Sequence, residues 1–142
     1  MAVLNGNGVE TRKAAGKISE LERVVASEPV HGSLGIAHTR WATHGAPNWC
    51  NAHPQVSCDA NIAVVHNGIV ENAAALRQAL EDLGHTFRSE TDTEVIAHLI
   101  EEFYTDNLEE AVIGALHKVE GTYGIAVVSS KDPDKIVAAR KG

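Results

Sequence analysis

Apolar residues recur at helical spacing in several stretches of the chain. The first stretch predicts a helix over residues 19–26 that stops before Pro29, whose ring nitrogen carries no hydrogen for a helix bond. The second predicts an amphipathic helix that closes at Gly84. Its apolar residues are spaced four, three, four and three positions apart: Ile69, Ala73, Leu76, Leu80 and Leu83.

Two further helices are predicted by capping residues that stand in front of apolar faces. Thr91 or Asp92 can cap a helix whose apolar face runs from Val95 to Phe103. The spacing Asn107-x-x-Glu110 resembles a capping box, which predicts another helix through Val119.

Short apolar runs bounded by turn residues predict the strands. These runs are residues 35–39, 62–65, 125–128 and 136–139, with residues 87–89 also extended. His66-Asn67-Gly68 and Asp132-Pro133-Asp134 are typical of tight turns, and residues 1–8 are expected to form a flexible start. Because helices and strands mix without a βαβ repeat, the predicted class is α+β.

Composition excludes several classes of function. The chain of 142 residues is long enough for one domain, and its 44% hydrophobic content argues against disorder. A formal charge of −7 argues against a nucleic-acid or anionic-membrane partner. No secretory or membrane-spanning stretch is recognisable, and two cysteines, Cys50 and Cys58, are too few for a disulfide framework. A reduced cytoplasmic setting is therefore expected.

The run HTRWATHG at residues 38–45 concentrates the candidate chemistry. Arg40 offers a planar fork that suits a carboxylate, and Trp41 offers a flat apolar cover. Thr43 and His44 add hydrogen-bonding groups. On the residues alone, a clamp for a small anion and a surface loop with an Arg–Trp stack are equally good interpretations.

Further segments follow this run in a suggestive order: NAHP at 51–54, VVHNGIVEN at 64–72 and SETDTEVIAHLI at 89–100, with residues 120–124 and 138–142. Together, from about Val9 onward, they resemble the class II glutaminase domain of the glucosamine-6-phosphate synthase family. The resemblance implies the αββα sandwich of N-terminal-nucleophile hydrolases. It also implies release of ammonia from glutamine for the synthesis of glucosamine 6-phosphate from fructose 6-phosphate.

The resemblance implies a role for each candidate residue in the recognition of glutamine. Arg40 would hold the α-carboxylate of glutamine with help from Thr43 and His44, and Trp41 would lie in a loop that closes over it. Packing in the core is the alternative for this tryptophan. Asp92 would take the α-amino group, although it also stands where a helix cap belongs.

The resemblance assigns the reaction itself to a second set of residues. Asn67 and Gly68 would form the oxyanion hole, with a plain Asn-Gly turn as the alternative. His53 would support the site from behind. No cofactor and no metal are implied, and a zinc site built from the histidines near the clamp is a weak alternative: His38, His44, His53 and His66.

The chain departs from the family at its first residues. The family nucleophile is a cysteine directly after the initiator methionine, whereas this chain has Ala2, and neither Cys50 nor Cys58 is expected to replace it. The expected domain is therefore incomplete, with strands missing at both ends, and inactive alone. The sugar-phosphate isomerase domain of a homo-oligomeric parent enzyme is also missing. The alternatives are a non-catalytic glutamine-binding module and a fragment without function.

Overall fold

Two antiparallel sheets and four helices make up the fold, seen in a computed structural model that describes residues Met1–Gly142. The three-stranded sheet has the order β2-β1-β3, and the four-stranded sheet has the order β4-β5-β6-β7. The strands are β1 (Ala2–Asn5), β2 (Gly8–Thr11), β3 (Leu34–Ile36), β4 (Gln55–Val56), β5 (Ile62–Val70), β6 (Gly121–Ser129) and β7 (Asp132–Lys141). The helices are α1 (Ile18–Ser27), α2 (Ala73–Asp82), α3 (Asp92–Phe103) and α4 (Leu108–Leu116).

The first half of strand β5 is buried on both faces, which explains its continuous apolar run. Ile62 and Val64 point into a core of 16 buried residues that β5 and β6 share with α2, α3 and α4. Ala63 and Val65 point the other way, because side chains alternate along a strand. They enter a second core between the two sheets, where they meet residues of β1 and β3: Ala2, Leu4 and Ile36.

Helices α2, α3 and α4 thus pack on one face of the four-stranded sheet, and the three-stranded sheet packs on the other face. This arrangement confirms the predicted α+β class. The remaining helix, α1, has no buried residue. It is joined to the segment after β2 by Arg12, whose Nε donates to the carbonyl of Glu28 at 2.8 Å. No helix combines the length and the apolarity that crossing a membrane would require.

The capping residues act as expected at two helices. The hydroxyl of Thr91 accepts the N–H of Glu94 at 3.3 Å, and the side-chain oxygen of Asn107 accepts the N–H of Glu110 at 3.0 Å. Thr91 is therefore the cap of α3, and Asp92 is its first helical residue.

The expectation of a flexible start at residues 1–8 is wrong. Strand β1 lies in the middle of the three-stranded sheet, and its residues Ala2 and Leu4 are buried. Asn5-Gly6-Asn7-Gly8 is the turn of a hairpin between β1 and β2, with Asn7 N–H donating to the Asn5 side chain at 2.8 Å. Each strand has only four residues, too few for a clear periodic signal.

Two predicted turns are wrong as well. Asn67 and Gly68 lie inside β5, which continues to Val70, and α2 starts at Ala73. Asp132, Pro133 and Asp134 belong to β7, and the chain reverses just before them. The predicted extended piece at residues 87–89 is not a strand. Turn-forming residues are a local signal, and pairing with β6 overrides it in both strands.

Candidate functional site

A cavity of about 310 Å³ brings most of the predicted site residues together. The loop after β3 contributes Arg40, Trp41 and Thr43, β5 contributes Asn67 and Gly68, and the start of α3 contributes Asp92. His53 also lines the cavity. His44 is the one predicted residue that does not line it, but its Nδ1 lies 3.7 Å from Oδ2 of Asp92 at the edge.

Asp92 presents a buried carboxylate to this cavity, with only 5% of the residue exposed. Its Oδ2 accepts the N–H of Val70 at 2.9 Å, and its Oδ1 lies 3.8 Å from Nδ1 of His66. Because Thr91 caps the helix, the Asp92 carboxylate is not needed for capping. Its Oδ1 accepts no hydrogen bond within the protein, so it is open to a cationic ligand group.

Hydrogen bonds from Arg40 hold the conformation of its own loop. Its guanidinium donates to the carbonyls of His44, of Ala46 at 3.2 Å and of Gly45 at 3.3 Å. A guanidinium has five N–H donors, so Nε–H and part of the terminal donors stay free for a ligand carboxylate. The Arg40 side chain therefore stabilises the loop and also leaves a positive charge at the cavity wall.

Trp41 lies on the surface, with 87% of the residue exposed, so the alternative that it packs in the core is wrong. It lines the cavity together with Thr43. An exposed indole next to a polar cavity has apolar area that a closing movement of the loop can bury.

Asn67 and Gly68 offer neutral hydrogen-bonding groups at the cavity wall. The Asn67 Oδ1 lies 3.0 Å from Nε2 of His38, which orients the amide and leaves its NH₂ group as a donor. Gly68 has φ +131°, and a Cβ there would lie 2.2 Å from the carbonyl oxygen of Thr122. Only glycine fits this close approach of β5 to β6.

A hydroxyl between two histidines forms the inner wall. The Oγ1 of Thr93 lies 2.8 Å from Nε2 of His53 and 3.1 Å from Nδ1 of His66. Burial lowers the pKa of His53 to about 3, and the nearby groups His38 and Arg40 act in the same direction. Burial also lowers the pKa of His66. Both imidazoles are therefore neutral at physiological pH.

Sequence reasoning missed Thr93, His66 and Thr122 as cavity residues. All three lie in segments that the resemblance already covers. Thr93 and His66 stand directly beside Asp92 and Asn67, and this position next to a candidate was the available signal. Four buried imidazole nitrogens around the site have no hydrogen-bond partner in the protein: His38 Nδ1, His44 Nδ1, His53 Nδ1 and His66 Nε2. They do not converge into one metal-ligand set.

Neither cysteine lines this cavity. Cys50 and Cys58 are both unpaired and exposed, and they border a different cavity. A third cavity of about 200 Å³ adjoins the site, shares Arg40 and His53 with it, and is also lined by Met1. The site thus holds groups for binding and for stabilising negative charge, without a thiol.

Comparison with known proteins gives one consistent family. Residues 38–141 match the family described as the glutamine amidotransferase domain. A glutamine–fructose-6-phosphate aminotransferase (isomerizing) of Clostridium acetobutylicum is 51% identical over 141 residues, 99% of this chain and 23% of that protein. Its counterpart in Thermus thermophilus is 53% identical over 140 residues, 99% of this chain and 23% of that protein.

Similarity to these relatives includes the first residues of the chain. The expectation that the similarity begins near Val9 is therefore wrong. A Pseudomonas putida protein of the same name is 52% identical over 145 residues and covers 100% of this chain and 24% of that protein. The chain thus spans about a quarter of the length of the curated relatives it matches.

Solved structures agree with this family at the level of the fold. A glutamine phosphoribosylpyrophosphate amidotransferase from B. subtilis, complexed with ADP and GMP, superposes with a TM-score of 0.77 and 27% identity. A structure titled as the allosteric regulatory enzyme of purine biosynthesis gives a TM-score of 0.81 and 29% identity. In both cases the match covers 99% of this chain and 30% of the other.

Proposed function

The chain belongs to the glutamine amidotransferase domain family, and we propose that its cavity binds the glutamine from which a larger enzyme takes ammonia. In this proposal the ammonia serves the synthesis of glucosamine 6-phosphate from fructose 6-phosphate, as the names of the relatives suggest. The observation that carries the proposal is the buried Asp92 carboxylate, whose Oδ1 is open toward the cavity.

Recognition of a free amino acid requires opposite charges for its two ends. Asp92 would accept the α-ammonium group, and its burial strengthens that contact because little water competes. The free donors of Arg40 would hold the α-carboxylate, with Thr43 on the same loop and His44 at the edge of the cavity. Trp41 would cover the bound ligand as the loop closes.

The reacting amide needs donors for the negative charge that develops on its oxygen. The NH₂ group of Asn67, oriented by His38, and the backbone of Gly68 supply neutral donors on β5. His53 supports the site through Thr93, next to Asp92. We assign these residues to the oxyanion hole and its support.

Hydrolysis also requires a nucleophile at the amide carbon. A thiolate would form a C–S bond to the amide carbon as the C–N bond breaks, and the NH₂ group would take up a proton and leave as ammonia. Water would then hydrolyse the thioester to glutamate and the free thiol. Residue 2 is Ala, and neither Cys50 nor Cys58 lines the cavity, so the described residues supply binding without attack. This favours a second candidate function, a glutamine-binding module without catalysis, for the chain by itself.

The other parts of the parent enzyme enter the proposal only through the family resemblance. They are the sugar-phosphate isomerase domain with its fructose 6-phosphate site, the homo-oligomeric state and the cytoplasmic location. The chain's length relative to these proteins is compatible with one domain of such an enzyme.

Calorimetric titration with L-glutamine tests the proposed binding. Asp92→Asn keeps the shape of the side chain and removes its charge, and Arg40→Ala removes the opposite charge. Each change should weaken binding by about 10- to 100-fold, because a charge-assisted contact is worth roughly 1.5–3 kcal/mol. Asp134→Asn, a change of an exposed carboxylate in β7, is the matched control and should bind like the parent chain. Equal affinities for all four proteins would contradict the assignment.

A further inference from the structure

Four potential metal ligands converge outside the glutamine cavity. They are Cys58 in the loop between β4 and β5, His85 between α2 and α3, and His98 and Glu101 on α3. Each offers one ligand atom, and all four atoms lie within 4.8 Å of one another. Three separate segments of the chain thus meet at one point.

Four of the six distances among these atoms are close to those around a tetrahedral ion. Sγ of Cys58 lies 3.2 Å from Nδ1 of His98 and 3.5 Å from Nδ1 of His85. Oε2 of Glu101 lies 3.3 Å from His85 Nδ1 and 3.7 Å from His98 Nδ1. Around tetrahedral Zn²⁺, with bonds of about 2.0–2.3 Å, neighbouring ligand atoms lie roughly 3.3–3.6 Å apart.

Carboxylates outside the cluster orient both imidazole rings. Nε2 of His85 lies 2.7 Å from Oε1 of Glu102, and Nε2 of His98 lies 3.3 Å from Oε1 of Glu94. Because a carboxylate only accepts hydrogen bonds, each Nε2 carries the hydrogen and each Nδ1 presents a lone pair. Carboxylates in these positions typically fix the ring of a metal-bound histidine.

The two Nδ1 atoms then face each other at 2.8 Å. Two lone pairs at this distance repel unless a positive charge lies between them, either a shared proton or a metal ion. The Cys58 thiol and the Glu101 carboxylate lie within 3.7 Å of the same two nitrogens, so a metal ion here would bind four ligand atoms where a shared proton joins only two.

The ligands are held in place before any ion binds. The residue His98 is only 1% exposed, and the ring of Phe87 packs against it with 4.5 Å between centroids. The Glu101 carboxylate accepts the N–H groups of Cys58 and Asp59, each at 3.0 Å. The Cys58 residue itself is exposed, which gives an ion a path into the cluster.

We propose that Cys58, His85, His98 and Glu101 bind one Zn²⁺ ion in a closed, tetrahedral, structural site. A thiolate and two imidazoles favour zinc over magnesium or calcium, which take oxygen ligands. On binding, the thiol proton and any proton shared by the imidazoles pass to solvent. The ion links two loops to α3, the helix whose first residue is Asp92. The resemblance implied no metal anywhere in the chain, and this proposal departs from that untested expectation.

Cobalt titration of the chelator-treated protein is the direct test, because Co²⁺ is a visible substitute for Zn²⁺. The proposal predicts one Co²⁺ per chain, a thiolate-to-cobalt charge-transfer band and the strong visible bands of tetrahedral cobalt, all lost on addition of Zn²⁺. Cys58→Ser should abolish the charge-transfer band, and Cys50→Ser, which changes the other exposed cysteine, should keep it. No thiolate band in the parent chain, or an unchanged band in Cys58→Ser, overturns the proposal.

Zinc affinity and stability give a second readout that does not depend on colour. Glu102→Gln, which removes the carboxylate behind His85, should lower zinc affinity by about 10- to 100-fold. Zn²⁺ should raise the melting temperature of the parent chain and of Cys50→Ser, and leave that of Cys58→Ser nearly unchanged. A melting temperature of the parent chain that Zn²⁺ does not raise means that a shared proton alone holds the cluster, and it overturns the site.

Discussion

The carboxylate of Asp92 accepts the backbone N–H of Val70 at 2.9 Å and so joins the start of α3 to the end of β5. Val70 follows Asn67 and Gly68 on the same strand, only a few residues away. The group proposed to hold the ammonium end of glutamine is thus fixed directly to the strand proposed to stabilise the reacting amide. This hydrogen bond fixes the distance between Asp92 and the strand that carries Asn67 and Gly68, because a helix and a strand are both rigid over this span.

We expect a change at Thr91 to affect stability and a change at the neighbouring Asp92 to affect glutamine binding. Thr91→Ala removes the acceptor for the Glu94 N–H and should lower the free energy of unfolding by about 0.5–2 kcal/mol. Its glutamine affinity should stay near that of the parent chain, since the Asp92 carboxylate is intact. Urea unfolding and calorimetry on the same preparation measure both effects. A large loss of affinity in Thr91→Ala would show that the helix start as a whole, rather than Asp92, determines binding.

Gly68→Ala should destabilise the fold more than Gly84→Ala does. Both glycines have a positive φ, +131° and +100°, so both changes introduce backbone strain of roughly 1–3 kcal/mol. Only at Gly68 does the new Cβ collide with backbone, 2.2 Å from the Thr122 carbonyl, while nothing lies within 4 Å at Gly84. Urea unfolding of the two variants isolates the collision. Equal losses would mean that β5 and β6 can separate at no extra cost.

Stability should fall in mild acid because of His53. Its pKa is lowered to about 3 by burial, against an ordinary value of 6.5 in the unfolded chain. Between these pH values, residue 53 binds a proton in the unfolded state but not in the folded state. The free energy of unfolding therefore drops as the pH falls from about 6.5. The limiting slope is about 1.4 kcal/mol per pH unit for one such group. Above pH 6.5 both states are neutral at this residue and its contribution is flat.

His53→Gln tests that origin. The glutamine cannot titrate but can still bond to Thr93, so the slope between pH 6.5 and 4.5 should become shallower. Chelator in the buffer keeps metal binding out of the comparison. Below pH 4.5 the buried Glu94 adds the same loss to both proteins, since hydrogen bonds hold its pKa at about 2 despite its desolvation, and the extra loss from His53 in the parent chain should end near pH 3. Identical slopes above pH 4.5 would rule out His53 as the source.

The chain should not release ammonia from glutamine at an enzymatic rate. Binding and an oxyanion hole without a nucleophile leave an acceleration of about 10³–10⁴ over water, as deletion of catalytic triads shows. Enzymes typically reach roughly 10⁶ or more. A coupled glutamate assay on the parent chain, Cys50→Ser and Cys58→Ser makes the comparison. Rapid release that either serine variant abolishes would identify that cysteine as a nucleophile and overturn this account.

The parts of the fold that could be predicted from sequence have a repeating signal or a local cap. Asn107 and Thr91 cap their helices as their spacing predicts, and the two-sided apolar run at residues 62–65 is a buried strand. In the sequence, Asn67-Gly68 looks like a turn, because a glycine with a positive φ serves both a turn and a close contact between strands. Only the pairing of β5 with β6 decides between them.

The residues of the candidate site also differ in whether they can be recognised from sequence. The charged and aromatic residues of the clamp stand out in sequence, and the structure places Arg40, Trp41 and Asp92 around one cavity. For Thr93 the sequence offers only its position beside Asp92, because its role comes from two histidines that are far away along the chain. The cluster at Cys58 follows no known ligand spacing, since its members come from two loops and a helix.

A crystal structure of this chain with L-glutamine will show whether the cavity binds glutamine as proposed. We expect glutamine in the cavity at the start of α3, with its ammonium group within hydrogen-bond distance of Oδ1 of Asp92. Its α-carboxylate should lie on the Arg40 loop, and its side-chain amide oxygen should face the NH₂ group of Asn67. Glutamine bound elsewhere on the chain, or a cavity without glutamine at concentrations far above the measured Kd, would contradict it.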